Sequence, residues 1–331
     1  MKAVVATAPG GPDVLGFVDR PAPVAGAGEL LVEVVGTAIN RADLLQRAGR
    51  YAVPPGSTDV LGLELAGRVA AVGADVTGWS TGDRVCALTP GGAHAELVTI
   101  PVSAAMRIPD SMTYAQAAAV PETFLTVYDN VLVRGEVAAG RTLLVHGGAS
   151  GIGTTAIQLA RERGASVYVT CGSQRKIDAC LELGAAAGID YHTEDFVERV
   201  RELTDGRGVD VVLDHVGAPY LRRNVDCLAM DGRLVMIGTM AGAEGMLDIQ
   251  AVMHKRVWLT GSRLRPRTEA EKAELVRALD RDIWPALAAG RIAPVVDRVL
   301  PWERVAEAHR VLEASDHVGK VVLAVREEEK R

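Results

Sequence analysis

The stretch that decides the fold is LLVHGGASGIG, residues 143–153. Apolar residues typical of a buried strand run into a glycine-rich turn, and the turn leads directly into a helix that begins at Gly151. The free amides and the positive dipole end of such a helix attract a pyrophosphate, and small residues let the backbone approach it. We therefore predict a dinucleotide-binding site at Ala149, Ser150, Gly151, Ile152 and Gly153.

Outward from this turn, short β-rich runs alternate with helical segments. The predicted strands cover residues 142–146, 166–170, 188–190, 209–214, 234–237 and 257–260. Strands that alternate with helices indicate a parallel sheet with right-handed crossovers, and six strands are the number in a full dinucleotide fold. The prediction is an α/β Rossmann domain with a six-stranded parallel sheet.

The end of the second predicted strand indicates which dinucleotide binds. NAD enzymes typically place Asp or Glu there to hold the ribose 2′-hydroxyl, but residues 170–176 read TCGSQRK and contain no acid. Next to Gly172, Ser173 can bond a 2′-phosphate and Lys176 or Arg175 can pair with its charge, while Tyr191 can cover it. The alternative is that Arg175 and Lys176 only begin a solvent-exposed helix and that Tyr191 is a packing residue. The missing acid favours NADPH.

Two further loops follow strands of this sheet at the edge where ligands of open α/β sheets bind. Gly238 and Thr239 follow the fifth strand, and Arg263 follows the sixth. We predict that both loops contribute to the cofactor site. The alternative for each is an ordinary loop with no role in binding the cofactor.

The first third of the chain differs from the middle in pattern. Short alternating strands are separated by Gly- and Pro-rich turns without intervening helices, which is typical of a barrel-like β unit. After Gly261, helices and two final strands are predicted to return to this unit. The expected domains are residues 1–121, residues 122–261 and a return segment 262–331 that completes the first domain.

Composition excludes several classes of function. The net charge is −6 with a pI of about 5.7, and aromatic residues make up 4% of the 331 residues, which argues against nucleic acid and anionic membranes as partners. The four cysteines form no CxxC pair, which is typical of reduced thiols in a cytoplasmic protein. No apolar run reaches membrane-spanning length.

These residues resemble the medium-chain dehydrogenase/reductase superfamily, and more narrowly its zinc-free quinone oxidoreductases. The group that they resemble most is the p53-inducible quinone oxidoreductases, related to zeta-crystallin. The matching stretches span the whole chain in order: AINRADL (38–44), QRAGRY (46–51), Pro54-Pro55-Gly56, LGLE (61–64), GDRV (82–85), AAAVPE (117–122), the glycine-rich turn, GSQ (172–174) and GKVV (319–322).

The resemblance implies a GroES-like β-barrel catalytic domain beside the Rossmann domain, and a homodimer. It also implies NADPH-dependent reduction of quinones and related conjugated carbonyls. Tyr51 lines the substrate pocket by this resemblance, with Asn40 and Asp43 in a turn that can face it. These three are the expected catalytic residues. The expected cofactor-binding residues are Tyr51, Thr126, Ala149, Ser150, Gly151, Ile152, Gly153, Gly172, Ser173, Lys176, Tyr191, Gly238, Thr239 and Arg263.

Zinc-dependent relatives need cysteine and histidine ligands that this chain lacks at the matching positions. Asn40, Leu63 and Glu122 stand in those regions, so we expect no metal. Hydride transfer to an acceptor that is already electron-poor does not require a Lewis acid. Tyr51 can donate to the developing oxyanion or only shape the pocket, and Arg41 with Asp43 can be a structural ion pair.

Two alternative functions stay open. An NADPH-dependent enoyl or 2-alkenal reductase would use the same fold and cofactor. A non-catalytic NADPH-binding or RNA-binding protein is the other, and the acidic charge argues against RNA.

Overall fold

A computed structural model of the chain describes residues 1–51, 53 and 56–327, so Pro54 and Pro55 of the family-like stretches lie outside the described residues. The chain divides into two compact units. One consists of Met1–Leu125 with the described part of Arg265–Arg331, and the other of Thr126–Leu264. The sequence alone suggested divisions after residues 121 and 261, a few residues earlier in each case.

The elements before the second unit are mostly strands. They are β1 (Lys2–Ala6), β2 (Leu15–Asp19), β3 (Glu29–Ala38), α1 (Arg41–Arg47), β4 (Glu64–Val72), β5 (Arg84–Leu88), β6 (Leu97–Pro101), β7 (Ala105–Arg107), α2 (Tyr114–Ala117) and α3 (Pro121–Val127), whose last residues belong to the second unit. A π-helical segment at Tyr128–Arg134 follows within the second unit.

The second unit alternates strands and helices. They are β8 (Thr142–His146), α4 (Gly151–Glu162), β9 (Ser166–Cys171), α5 (Gln174–Glu182), β10 (Ala187–Asp190), α6 (Phe196–Leu203), β11 (Val209–Asp214), α7 (Leu221–Cys227), β12 (Leu228–Met236), α8 (Ile249–Lys255) and β13 (Trp258–Gly261). The remaining elements are α9 (Glu269–Asp282), α10 (Trp284–Ala288), β14 (Val296–Pro301), α11 (Val305–Ala314) and β15 (Lys320–Ala324).

The sheet of the second unit has six strands in the order β10-β9-β8-β11-β12-β13, all parallel. This is the doubly wound order of a dinucleotide fold, with β8 and β11 at its centre. Leu143, Leu144 and Val145 of β8 are fully buried because helices cover both faces of such a sheet. The predicted six-stranded Rossmann sheet is confirmed.

The sheet of the first unit has seven strands. Its order is β14-β15-β3-β4-β5-β7, with β6 paired to β3, and β1 and β2 form a separate antiparallel ribbon. Strand β15 pairs antiparallel with β3, so the return segment is built into this sheet. The GroES-like fold class predicted for this part of the chain is confirmed as well.

Some predicted element boundaries were wrong. The helical segment that follows Thr268 is interrupted at Ile283, because Pro285 cannot donate a backbone hydrogen bond and a new helix starts around it. Strand β12 begins at Leu228 rather than at residue 234. Four short elements were missed, namely β2, β7, α1 and α8. Within the described residues, no helix is both long and apolar enough to span a bilayer.

Candidate active site

The glycine-rich turn between β8 and α4 is tightly packed backbone. A Cβ at Gly153 would lie 2.3 Å from the carbonyl oxygen of Gly148, and a Cβ at Gly148 would lie 2.4 Å from Cβ of Val169. Gly147 has a φ of +68°, a region that glycine adopts without strain. These positions require glycine, and the turn that they form ends at the N-terminus of α4, where helix amides and the positive dipole end suit a pyrophosphate.

Ser150 is the N-cap of α4. Its hydroxyl donates to the carbonyl oxygen of Gly147 at 2.8 Å and accepts from the amide of Gly153 at 3.0 Å. A hydroxyl has one proton to donate, and here the proton is used inside the turn. Direct donation from Ser150 to a phosphate would therefore require release of the Gly147 carbonyl, and this role stays a prediction.

The predicted 2′-phosphate residues gather at the ends of β9 and β10. The Cβ position of Gly172 lies 2.4 Å from the hydroxyl oxygen of Tyr191 and 3.2 Å from Nε2 of His192. Ser173 caps α5 without a hydrogen bond from its side chain to the helix, and Lys176 follows in the first turn. His192 was missed by the sequence reasoning, although its place directly after Tyr191 pointed to it.

The loops after β8, β11 and β12 meet at His215. The Cβ position of Gly147 lies 2.4 Å from Cε1 of His215, and that of Gly238 lies 3.1 Å from its carbonyl oxygen. The structure therefore brings Gly238 close to the turn at Gly147, at the carboxyl edge of the sheet. His215 was missed, and its position just after a predicted central strand was the available signal.

Thr126 and Arg263 complete the predicted cofactor residues of this unit. The Thr126 hydroxyl oxygen is buried and has no hydrogen-bond partner among the described residues, and an unsatisfied buried hydroxyl suits a polar ligand atom. Arg263 is exposed after β13. The glycine cradle, the helix N-terminus and this orphaned hydroxyl together fit a dinucleotide.

In the first unit, Asn40 and Asp43 are held by internal hydrogen bonds. Asn40 caps α1, and its backbone amide donates to Oδ2 of Asp43 at 2.7 Å. The backbone amide of Gly62 donates to Oδ1 of Asp43 at 3.1 Å. Asp43 is fully buried, and burial raises its pKa to about 6 although both backbone donors oppose this. Arg41 donates instead to the carbonyl of Leu312. Both Asn40 and Asp43 stabilise the turn here, and a catalytic role for them stays a prediction.

A buried polar cluster joins Asn40 to the return segment. Nζ of Lys320 donates to Oε1 of Glu64 at 2.7 Å, to Oδ1 of Asn40 at 2.5 Å and to the carbonyl of Ile39 at 3.2 Å. The side-chain amide of Asn40 also donates to Oε1 of Glu64, at 2.8 Å. Glu64 is thus held by hydrogen bonds inside the fold.

Glu122 lies next to this cluster at the start of α3. Its backbone amide donates to Oε2 of Glu64 at 2.8 Å. Burial, and secondly the charge of Glu64, raise the pKa of the Glu122 carboxyl to about 7. Sequence reasoning used Glu122 only to argue against a metal ligand and missed a group that titrates near neutral pH.

Tyr51 is half-buried and lies under a guanidinium. The central carbon of the Arg265 guanidinium stands 5.0 Å from the Tyr51 ring centroid. Arg265 belongs to the first unit through the return segment, and it was not among the site residues predicted from the sequence. The tertiary fold alone brings residues 51 and 265 together.

Two family models match separate parts of the chain, and the second match runs past the end of the second unit at Leu264. Residues 26–110 match the family described as alcohol dehydrogenase GroES-like domain, and residues 151–281 match zinc-binding dehydrogenase. The human synaptic vesicle membrane protein VAT-1 homolog is 32% identical over 98% of this chain and 86% of its own length. A Pseudomonas aeruginosa quinone oxidoreductase is 32% identical over 97% of this chain and 99% of its own length.

Among solved structures, the Escherichia coli quinone oxidoreductase complexed with NADPH has a TM-score of 0.87 and 30% identity, and covers 98% of this chain and 100% of its own. The fold and the glycine-rich site define a dinucleotide-binding oxidoreductase. The chain belongs to the medium-chain dehydrogenase/reductase superfamily, with quinone oxidoreductases among its relatives.

Proposed function

We propose that this protein reduces quinones with NADPH and without a metal ion. The observation that carries the proposal is the site at the ends of β9 and β10, where Gly172 lies against the Tyr191 hydroxyl and residues 172–176, directly after β9, contain no acid. An Asp or Glu there would repel a 2′-phosphate, whereas Ser173 and Lys176 attract one. The NADPH complex of the E. coli relative supports the same cofactor.

The quinone acceptor is supported by two relatives that carry that name, each similar over nearly the full chain. Bound NADPH would supply a hydride to an electron-poor carbon. Tyr51 would donate a hydrogen bond to the oxygen that gains negative charge. Ser150, Lys176 and Tyr191 would hold the cofactor.

Independence from metal is supported by the side chains available. No group of three or more His, Cys, Asp or Glu within the described part of the chain has the geometry to hold a metal ion. Leu63 stands next to Glu64 where zinc-dependent relatives need a ligand, and the Glu64 carboxylate is paired with Lys320.

The test is NADPH oxidation, with NADH in parallel, against ortho- and para-quinones, 2-enals and an enoyl-CoA after treatment with a chelator. We expect quinone turnover that prefers NADPH and survives chelation. Turnover of enones alone would establish the enoyl reductase alternative. Tight NADPH binding without turnover would indicate a binding protein, and loss of activity on chelation would overturn the metal-free mechanism.

We also propose a homodimer in the cytoplasm. Strand β13 is an edge of the six-stranded sheet, and its Trp258 is 61% exposed, which suits pairing of two such edges. Sedimentation of the wild type and of Trp258→Glu tests the dimer. A monomeric wild type would contradict it.

A further inference from the structure

Arg265 is a buried cation with an unusual set of partners. The residue is 6% exposed, and its Nε donates to the carbonyl oxygen of Pro90 at 2.8 Å. Neither terminal nitrogen has a hydrogen-bond partner among the residues that the structure describes. A buried guanidinium normally satisfies its donors, so two unsatisfied terminal nitrogens make Arg265 an unusual buried cation.

The backbone of Arg265 is also fixed. Nζ of Lys272 donates to its carbonyl oxygen at 2.7 Å. The Cβ position of Gly91 lies 3.4 Å from Nη2 of Arg265 and 3.5 Å from Cγ2 of Thr58, so the guanidinium is packed at van der Waals distance from this loop. Main chain and side chain together hold the charge in one place.

The ring of Tyr51 lies against this charge, and its centroid is 5.0 Å from the central carbon of the guanidinium. A guanidinium over an aromatic face is attracted by the ring, and the attraction grows where water is excluded. The same positive charge stabilises a phenolate relative to a phenol, so it makes the phenol a stronger hydrogen-bond donor.

We propose that Arg265 is a positioning residue for Tyr51: it fixes the ring and strengthens the phenol as a donor to the oxygen of the bound acceptor. This inference rests on the proposed function, because it assumes that Tyr51 faces the acceptor. Arg265 acts through Tyr51 and does not itself need to touch the substrate.

Other charged groups lie around Arg265 and Tyr51, and their titration must be distinguished from that of the Tyr51 phenol. Asp43 on α1 and Glu122 on α3 both feel the charge of Arg265, and Lys272 on α9 binds its carbonyl. Burial holds the pKa of Asp43 at about 6 and that of Glu122 at about 7. A phenol ionises near pH 10, so its titration is resolved from theirs.

The first experiment is a double-mutant cycle with Arg265→Gln and Tyr51→Phe, using kcat/KM for a quinone. We expect Arg265→Gln to lower kcat/KM about tenfold in the presence of Tyr51, and less than about twofold in the Tyr51→Phe background. Arg265→Lys, which keeps the charge, should recover part of the loss. Arg277→Gln removes an exposed charge from the following helix and serves as the matched control.

The second experiment needs no turnover. The ultraviolet titration of Tyr51 is obtained as the difference between proteins with and without Tyr51→Phe, and Arg265→Gln should raise its midpoint by about 1 pH unit. Circular dichroism and NADPH affinity establish that each variant is folded. An equal effect of Arg265→Gln in both backgrounds, or an unmoved phenol titration, would overturn the proposal. A wild type without quinone turnover would count against the proposed function alone, since the titration still decides the coupling.

Discussion

At the scale of single residues, the centre of the first unit depends on the pair of Glu64 and Lys320. The side chains are 0% and 6% exposed and 2.7 Å apart. A buried ion pair of this kind adds little compared with apolar packing, but the loss of one partner leaves the other charge unpaired. Asn40 bonds to both members, so the pair also fixes the turn before α1.

Lys320→Met is therefore expected to destabilise the protein by about 3–5 kcal/mol, because Glu64 keeps a buried charge. Urea unfolding followed by circular dichroism measures the change. Adding Glu64→Gln to Lys320→Met removes the stranded charge and should recover part of the loss. A cost below about 1 kcal/mol for the single variant would contradict the buried pair.

Glu122 gives the fold a pH dependence that can be assigned to one residue. Its pKa in the folded state is about 7, above the ordinary 4.5, because of burial and then the charge of Glu64. A carboxyl with a raised folded pKa contributes stability that is complete below pH 4.5 and is lost as the pH rises through about 7.

We expect the free energy of unfolding of the wild type, relative to Glu122→Gln, to fall between pH 4.5 and pH 7. His94, His146 and His309 have pKa values lowered to about 3 by burial, and they destabilise the fold as the pH falls below 6.5. They are present in both proteins and cancel in the difference. A difference that stays flat over this range would show that Glu122 is not the group that titrates.

At the scale of elements, the junction of β8 and α4 combines backbone shape and helix polarity. The capping hydroxyl of Ser150 and the close contact of Gly153 with the Gly148 carbonyl hold the first turn of α4 against the end of β8. The cofactor site thus depends on an approach between backbone atoms that no side chain can replace.

Gly153→Ala places a methyl group 2.3 Å from the Gly148 carbonyl oxygen and must displace the turn. We expect NADPH affinity, measured by fluorescence titration, to fall about tenfold or more, with the fold retained. Gly11→Ala is the control, since a Cβ at Gly11 meets nothing within 4 Å. Unchanged affinity in Gly153→Ala would place the pyrophosphate elsewhere.

At the scale of the whole molecule, the return segment contributes both strands and core residues to the first unit, although it is far from the rest of that unit in the sequence. Strand β15 lies between β14 and β3 within the seven-stranded sheet, and it carries Lys320. Leu300, Trp302 and Leu323 belong to the same core cluster as Val4 and Ile39. The core of the second unit around Leu144 and Phe196, by contrast, draws on no residue after Leu259.

Deletion of residues 265–331 is therefore expected to unfold the first unit and to leave the Rossmann unit able to bind NADPH. Hydrogen exchange of β3 should rise to that of an unfolded chain, whereas β8 stays protected. Point variant Lys320→Met, which keeps the strand, should show a smaller effect on β3. A truncated protein with protected β3 would contradict this dependence.

The sequence by itself determined the six-stranded sheet of the second unit and its phosphate turn, but not α8 or the start of β12. Its strands and helices follow one another at short range, and the phosphate turn is a local motif, so β8, α4 and β11 end within a residue of where the pattern predicts them. Only the tertiary structure decided the contacts that pair distant residues: Arg265 over Tyr51, Lys320 with Glu64, and His215 against Gly147. The physical reason is that periodicity and turn chemistry act over a few residues, whereas these contacts depend on how strands far apart in the chain are ordered in a sheet.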